Sequence, residues 1–270
     1  MNDTADAMTR RMLSARAGEI LRKLGEWRAE LGMHEAMTAA IEQYVEPETH
    51  PELKRLGEVL ALARRQAMIQ EWLDDDREAL HHGHLSHDEL VSKGQHYEML
   101  RHQACQYNHL IRGFIESAGQ YFTRDDLMNW LVSASLGRAT WAKGEITGAL
   151  SEIALHAVLQ GLPEIRGMRY ATVEEDLAGY DFVGEWQGKL LTIDAKTGFY
   201  RPLSERKRGH RHLEISVPRE AVKDLTINHR GLGLLRREVR QALGGGVAEG
   251  AERSQGPVYA WSFHARRAHA

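Results

Sequence analysis

Two aspartates lie on adjacent strand-like segments, and their residue type and spacing suit the binding of a metal ion. Gln187-Gly188 separates two β-rich runs, residues 180–186 and 189–196, as a two-residue hairpin turn would. Pairing inward from this turn places Asp181 directly opposite Asp194, with their Cβ atoms about 5 Å apart. Carboxylates this close repel each other unless a cation lies between them.

Lys196 is predicted to share a face with Asp194, because side chains alternate along a strand and Ala195 points away. The same strand contains the apolar residues Leu190, Leu191 and Ile193. Charged groups inside such a strand are costly unless they are paired or bind a metal. The pattern therefore predicts a metal site, with an Asp–Lys pair on the solvent face of a hairpin as the alternative.

The spacing of Asp181 and, thirteen residues later, Asp194-Ala195-Lys196 resembles the PD-(D/E)xK signature of the restriction-endonuclease-like nucleases. Tyr180 stands where the signature has its proline, which is a departure from the pattern. Thr197-Gly198 resembles the usual exit from the strand that carries the lysine. The resemblance covers about residues 140–265 and implies an α/β core with the element order αβββαβ.

Members of this superfamily also commonly carry a glutamate on the helix before the first strand. Glu152 matches best, because it lies in the middle of the predicted helix beside the small residues Ala149 and Ser151. Glu145, seven residues earlier on nearly the same helical face, is the alternative. The sequence leaves the choice between the two glutamates open.

The chemistry expected of such a site is hydrolysis of a phosphodiester. Mg²⁺ prefers oxygen ligands and keeps several waters, so one or two carboxylates and a phosphate suffice to bind it. We expect Asp181 and Asp194 to bind Mg²⁺ directly, with the carbonyl of Ala195 as a third ligand and Mn²⁺ as a substitute ion. Glu152 would bind a second metal ion or orient a metal-bound water. Lys196 would position the attacking water and offset charge on the phosphate.

The C-terminal half of the sequence predicts the helix and strands that would position these residues. The predicted order is a helix at 141–160, strands at 168–173, 180–186 and 189–196, a basic irregular stretch, a strand at 213–217, helical segments and a last strand at 258–263. Glycines 244–246 are typical of a linker before that last strand. Residues 140–270 are therefore expected to form the nuclease domain.

The first half of the chain predicts an all-α region. Apolar residues recur three and four positions apart within residues 13–31, 51–73 and 88–117, and Thr123 is a candidate N-cap for a further helix. Such stripes suit the inside of a helical bundle or a coiled coil between chains. Residues 1–139 are expected to form a domain for dimerisation, partner binding or DNA binding.

A basic cluster follows the strand that carries Lys196 and could bind DNA phosphates beside the metal site. Its members are Arg201, Arg206, Lys207, Arg208, His210, Arg211 and His212. The alternative is a solvated charged loop. Upstream, the histidines of residues 81–87 surround Gly83 without a nearby cysteine, which favours a linker over a zinc site.

Composition limits the remaining options. The 270-residue chain has a net charge of −3, so any nucleic-acid-binding surface must be a local patch. A single cysteine, Cys105, excludes an intrachain disulfide and suggests a reducing compartment. The sequence has neither an apolar secretory segment near its start nor an apolar run of membrane length, so we expect a cytoplasmic protein without a membrane partner.

The sequence therefore predicts a metal-dependent DNA endonuclease of a restriction, phage-defence or mobile-element system, acting as a homodimer or with a partner protein. RNA and single-stranded or branched DNA stay open as substrates, because such an active site touches only the phosphate. The alternative function is a catalytically silent nuclease fold that serves as a nucleic-acid-binding or assembly subunit.

Overall fold

The computed structural model describes residues 3–31, 34–81, 87–197, 206–207, 210–223 and 226–244. The chain divides into two compact units, Met1–Glu145 and Ile146–Ala270. This division falls inside a helix, Ala139–Gln160, whereas the sequence predicts a boundary at residues 139 and 140. None of the described helices is long and apolar enough to cross a membrane.

The described part of the first unit is helical. Its helices are α1 (Asp3–Leu31), α2 (His34–Val45), α3 (Pro51–His81), α4 (His87–Ala118), a 3₁₀ turn (Gly119–Tyr121), α5 (Arg124–Ala134) and the start of α6 (Ala139–Gln160). The predicted stripes form its core, with at most 1% exposure at Leu13, Ala17, Ile20, Leu24, Leu56, Leu60, Ala63, Tyr107, Ile111 and Phe114. Because one chain buries these side chains by itself, the structure favours the helical bundle over a coiled coil between chains. Helix α2 was not predicted from the sequence.

Helix α5 begins where its sequence predicts. The Thr123 hydroxyl accepts a hydrogen bond from the Asp126 amide (3.1 Å), and the Asp126 carboxylate accepts one from the Thr123 amide (2.9 Å). This reciprocal capping box satisfies two amides that a helix N-terminus leaves without partners. At the other end of α5, the buried Arg64 side chain donates to the carbonyls of Ser133 (3.1 Å) and Ala134 (2.6 Å).

The second unit is built on a mixed β-sheet. After α6 come β1 (Ile165–Tyr170), α7 (Val173–Leu177), β2 (Phe182–Trp186), β3 (Lys189–Thr197), β4 (Arg206–Lys207), β5 (His210–Val217), β6 (Val222–Lys223), β7 (Thr226–Ile227) and α8 (His229–Ala242). Among the described residues the main sheet has five strands in the order β1-β2-β3-β5-β4, and β6 and β7 form a separate pair. Strands β3 and β5 are parallel, and the other pairs are antiparallel.

The order of these elements differs in part from the prediction. The strand predicted at 168–173 lies at Ile165–Tyr170, and the short helix α7 begins at Val173. The strand predicted at 213–217 is the end of β5 (His210–Val217), but no helix falls between β3 and β5 within the described residues, whereas the αβββαβ order has a helix after its third strand. The strand predicted at 258–263 lies outside the described residues. The fold class is therefore α/β with a helical first unit.

Helices α6 and α8 share one apolar core with one face of the sheet. This core includes Ala154, Leu155, Val158 and Leu159 of α6, Leu191 and Ile193 of β3, Leu213, Ile215 and Val217 of β5, and Leu235 and Val239 of α8. The alternate residues of β3 and β5 point to the opposite face, because side chains alternate along a strand. That opposite face carries Thr192, Asp194 and Lys196 of β3 and His212, Glu214 and Ser216 of β5.

Candidate functional site

The β2–β3 hairpin has the register that its turn predicts. Gln187 and Gly188 both have positive φ angles, 53° and 72°, as a type I′ turn requires. Trp186 pairs with Lys189, and the pairing continues in step to the Phe182–Ile193 pair. The turn therefore brings the start of β2 beside the end of β3, where the predicted site residues lie.

Asp181 leaves the regular ladder one residue before β2. Its amide donates to the carbonyl of Ile193 (2.9 Å), and its carbonyl accepts from the amide of Ala171 (2.9 Å). Its carboxylate Oδ2 then accepts from the amide of Ala195 at 2.5 Å. The Asp181 carboxylate oxygen thus accepts the hydrogen bond that a backbone carbonyl would accept if the ladder continued. This hydrogen bond fixes the Asp181 carboxyl group between the two strands.

The surroundings of Asp181 raise its pKa from 3.8 to about 8. Burial is the largest cause, and the negative charge of Glu152 is the next. The hydrogen bond from Ala195 lowers the pKa, whereas the charge of Asp194 and a hydrogen bond with its carboxyl group raise it. Two carboxyl groups can share a hydrogen bond only if one of them is protonated. Without a cation, Asp181 therefore carries a proton at neutral pH.

Asp194 and Lys196 point to one face of β3, as their spacing predicts, and their side chains contact each other. The Lys196 ammonium forms an ion pair with the Asp194 carboxylate, and the two side chains are 36% and 15% exposed. Burial alone would lower the pKa of Lys196, but the hydrogen bond to Asp194 and the charges of Asp194, Asp181 and Glu214 raise it overall. Lys196 therefore stays protonated and carries a positive charge beside the carboxyl groups.

The structure separates the two candidate glutamates of α6. The charge of Glu152 acts on Asp181, whereas the charge of Glu145 acts on the buried Tyr107 of the first unit. One turn after Glu152, the His156 ring packs against Tyr170 at 4.0 Å between ring centroids. This contact holds α6 against the end of β1, next to Asp181. Glu152 is thus the helix carboxylate that the structure brings to the site.

Strand β5 contributes two further residues that the sequence analysis did not assign to a metal site. The parallel pairing sets Glu214 beside Asp194 and His212 beside Thr192. One ligand atom each of Asp194, His212 and Glu214 lies within 4.8 Å of the others. His212 was predicted as part of the basic cluster, and Glu214 was not predicted as a site residue. The alternation of His212, Glu214 and Ser216 was the available signal, but it points to this site only once β5 is known to pair with β3.

The basic cluster is only partly described by the structure. Arg201 and Arg208 lie outside the described residues, and for Arg206 and Lys207 only their place in β4 is described. Arg211 points to the helix-covered face of the sheet, opposite Asp194. Its guanidinium donates to the α8 carbonyls of Ala242 (2.5 Å) and Leu243 (3.1 Å) and lies 4.5 Å from the Trp186 ring centroid. Phosphate binding by these five residues stays a prediction.

The donor set fits a divalent cation. The negative charges of Glu152 and Asp194 raise the pKa of Asp181, and a cation bound among the three carboxyl groups would replace the proton on Asp181. Hard cations such as Mg²⁺ prefer oxygen ligands of this kind. The amide of Ala195 already bonds to Asp181. The Ala195 carbonyl as a metal ligand stays a prediction.

Comparisons with protein-family models, with curated proteins and with solved structures gave no significant match to this chain. The resemblance to PD-(D/E)xK nucleases therefore stays a prediction based on Asp181, Asp194, Lys196 and Glu152. The chemistry that these residues can perform is the basis for assigning a function.

Proposed function

We propose that this protein is a metal-dependent nuclease that hydrolyses phosphodiester bonds of DNA, with a restriction-endonuclease-like core formed by its C-terminal half. One observation carries the proposal: the Asp181 carboxyl group is fixed on the Ala195 amide, against Asp194 and within the field of Glu152. Lys196 pairs with Asp194 at the same place. A protein gains little stability from collecting carboxyl groups in this way, so a catalytic role accounts for them better.

Each residue has a role that suits its position. Asp181, Asp194 and Glu152 offer carboxylate oxygens to one or two Mg²⁺ ions, and Mn²⁺ can substitute. The bound metal supplies Lewis acidity and makes a coordinated water more nucleophilic. Glu152 can orient the attacking water from α6. Lys196, protonated and 36% exposed, can position that water and offset the negative charge that builds up on the phosphate.

The proposed substrate is DNA, cut internally, in a restriction, phage-defence or mobile-element system. Cleavage of both strands of a duplex is simplest with two copies of the site, so we expect a homodimer or a complex with a partner protein. The helical first unit is the expected source of that interface. RNA cleavage is an outcome that the test below can reveal.

A cleavage assay on supercoiled plasmid, linear duplex, single-stranded DNA and single-stranded RNA tests the proposal. Wild type, Asp194→Ala and Lys196→Ala are compared with Mg²⁺, Mn²⁺ or EDTA. We expect metal-dependent conversion of the closed circle, lost in both variants, while Asp194→Ala still binds DNA. Glu185→Gln is the matched control, because Glu185 is an exposed carboxylate on β2 outside the site.

Two results would contradict the proposal. Absence of cutting on every substrate would favour a binding or assembly protein that kept the fold. Cutting that survives both substitutions would mean that the activity does not come from this site.

A further inference from the structure

Three candidate metal ligands meet where β5 lies beside β3. Asp194 and Glu214 are lateral neighbours in the parallel register, and His212 lies two residues before Glu214 on the same face. Their ligand atoms lie within 4.8 Å of one another. Two atoms that bind one ion at about 2.1 Å are at most about 4.2 Å apart. A small side-chain movement would therefore bring all three groups within binding distance of a single ion.

The His212 ring is held by its neighbours. The hydroxyl of Thr192, a residue only 2% exposed, lies 3.0 Å from Nδ1 of His212. The Tyr180 ring packs against the imidazole at 5.5 Å between centroids. Because Nδ1 bonds to Thr192, a metal ion would bind at Nε2. A hydrogen bond from the other ring nitrogen orients the ligating histidine in most protein metal sites.

The charges of this group also suit a dication. Asp194 and Glu214 lie side by side on adjacent strands, where like charges destabilise a sheet. The Lys196 ammonium pairs with Asp194, and the charge of Glu214 acts on it as well. A dication bound between the two carboxylates would offset both negative charges.

We infer that Asp194, His212 and Glu214 bind a first-row transition-metal dication, such as Mn²⁺, beside the proposed Mg²⁺ site. The imidazole decides the metal class, because Mg²⁺ takes oxygen ligands whereas histidine nitrogen suits first-row transition metals. The inference rests on the proposed function only in that both sites share Asp194. The β5 ligands would therefore favour a transition-metal ion, a preference that the oxygen ligands around Asp181 do not have.

A titration of the full-length protein with Mn²⁺, in the absence of nucleic acid, tests this inference. Electron paramagnetic resonance measures free Mn²⁺, with and without a tenfold excess of Mg²⁺. The test variants are His212→Asn, which keeps a polar group near Thr192 but removes Nε2, and the isosteric Glu214→Gln. The controls are His102→Asn on α4 and Glu185→Gln on β2, both at exposed positions.

We expect one wild-type Mn²⁺ ion to resist displacement by Mg²⁺. Each test variant should lose that ion or bind it about tenfold more weakly or worse, while both controls bind like wild type. In the presence of the tenfold excess of Mg²⁺, Mn²⁺ should still broaden the nuclear magnetic resonance signals of the His212 imidazole in the wild-type protein, a readout that needs no variant to fold. Wild-type affinity and stoichiometry in both test variants, or an unbroadened His212 signal, would overturn the inference.

The metal-binding result is independent of the proposed nuclease activity. Mn²⁺ binding through His212 and Glu214 in a protein that cuts no nucleic acid would support this site and contradict the proposed function. Metal-dependent cutting with unchanged Mn²⁺ binding in both variants would support the proposed function and contradict this site.

Discussion

The proton on Asp181 links the geometry of the site to the stability of the protein. The pKa of this carboxyl group is about 8 in the folded chain, against 3.8 for an ordinary aspartate. Between these values the folded protein retains a proton that the unfolded chain releases. The stability that this proton provides is complete below about pH 4 and is lost as the pH rises through 8. At neutral pH without metal, Asp181 therefore destabilises the fold.

Asp181→Asn should make the metal-free protein more stable, and more so at high pH. Asparagine can still accept from the Ala195 amide, but it has no charge to desolvate beside Glu152 and Asp194. The expected gain is small at pH 4 and on the order of 1–3 kcal/mol at pH 8. Urea unfolding in EDTA at several pH values measures it, with Glu185→Gln as the control. A gain that is no larger at pH 8 than at pH 4 would show that Asp181 ionises normally.

Local spacing was enough to predict the hairpin residues, because a two-residue turn fixes which side chains oppose each other. Asp181, Asp194 and Lys196 could therefore be assigned to one place from the sequence. Local spacing does not show which strand lies on the far side of β3. For that reason it missed Glu214, placed His212 in a phosphate-binding cluster, and did not foresee that Arg211 binds the end of α8.

At the scale of elements, the close approach of α8 to the preceding turn depends on Gly231. A Cβ atom at this position would lie 2.1 Å from the carbonyl oxygen of Glu220 and 2.2 Å from the amide nitrogen of Ala221. Backbone atoms cannot swing away as a flexible side chain can, so any larger residue must displace the helix. Gly233, two residues later, has no atom within 4 Å of such a Cβ position.

Gly231→Ala and Gly233→Ala should therefore have opposite effects on stability. Gly231→Ala is expected to destabilise the protein by about 2 kcal/mol or more, as overpacking does. Gly233→Ala should stabilise it by up to about 1 kcal/mol, because alanine favours the helix. Thermal unfolding of the two variants checks this prediction. Equal effects would mean that α8 does not pack closely against Glu220 and Ala221.

Element boundaries were predictable where a cap or turn marks them. Thr123 marked the start of α5, and Gln187-Gly188 marked the hairpin. The start of α7 had a comparable signal that was overlooked: Thr172 and Glu175 form a capping box, and Arg169 also pairs with Glu175. The strand predicted at 168–173 instead ran through Val173. Helix α8 starts at His229, where the side chain of Asn228 caps it by accepting a hydrogen bond from the Arg230 amide.

At the scale of the whole molecule, the charge distribution limits how the proposed DNA substrate could bind. A net charge of −3 provides no general attraction to a polyanion, so phosphate binding must come from a few local groups. The Arg211 guanidinium is directed at the end of α8. Among the arginines and the lysine of the predicted cluster, the ones left to bind phosphate are Arg201, Arg206, Lys207 and Arg208. Divalent cations at the site would add to their attraction for a phosphate.

DNA affinity should accordingly fall only moderately with salt. About four phosphate contacts predict a slope near −4 for the logarithm of the binding constant against the logarithm of salt concentration. Fluorescence anisotropy with a short duplex in Ca²⁺, from 50 to 300 mM KCl, measures this slope. Replacing Arg201 and Arg208 together by alanine should reduce its magnitude by about 2. A slope that this double variant leaves unchanged would place the DNA elsewhere.

The division of the chain into a helical unit and an α/β unit could be predicted from composition and periodicity. The order of strands in the sheet could not be predicted, because the parallel pairing of β3 with β5 joins segments that no short turn connects. This pairing places Glu214 beside Asp194. The long-range topology thus decides which charges complete the site.

Cleavage of supercoiled plasmid with Mg²⁺ by Glu152→Gln and by Glu145→Gln is the most direct test of the proposed active site. Both variants carry the same substitution on the same helix, and the structure brings only Glu152 to Asp181. We expect Glu152→Gln to slow cleavage about tenfold or more and Glu145→Gln to cut like wild type. If the two variants cut equally well, or if only Glu145→Gln is impaired, the proposed active site is wrong.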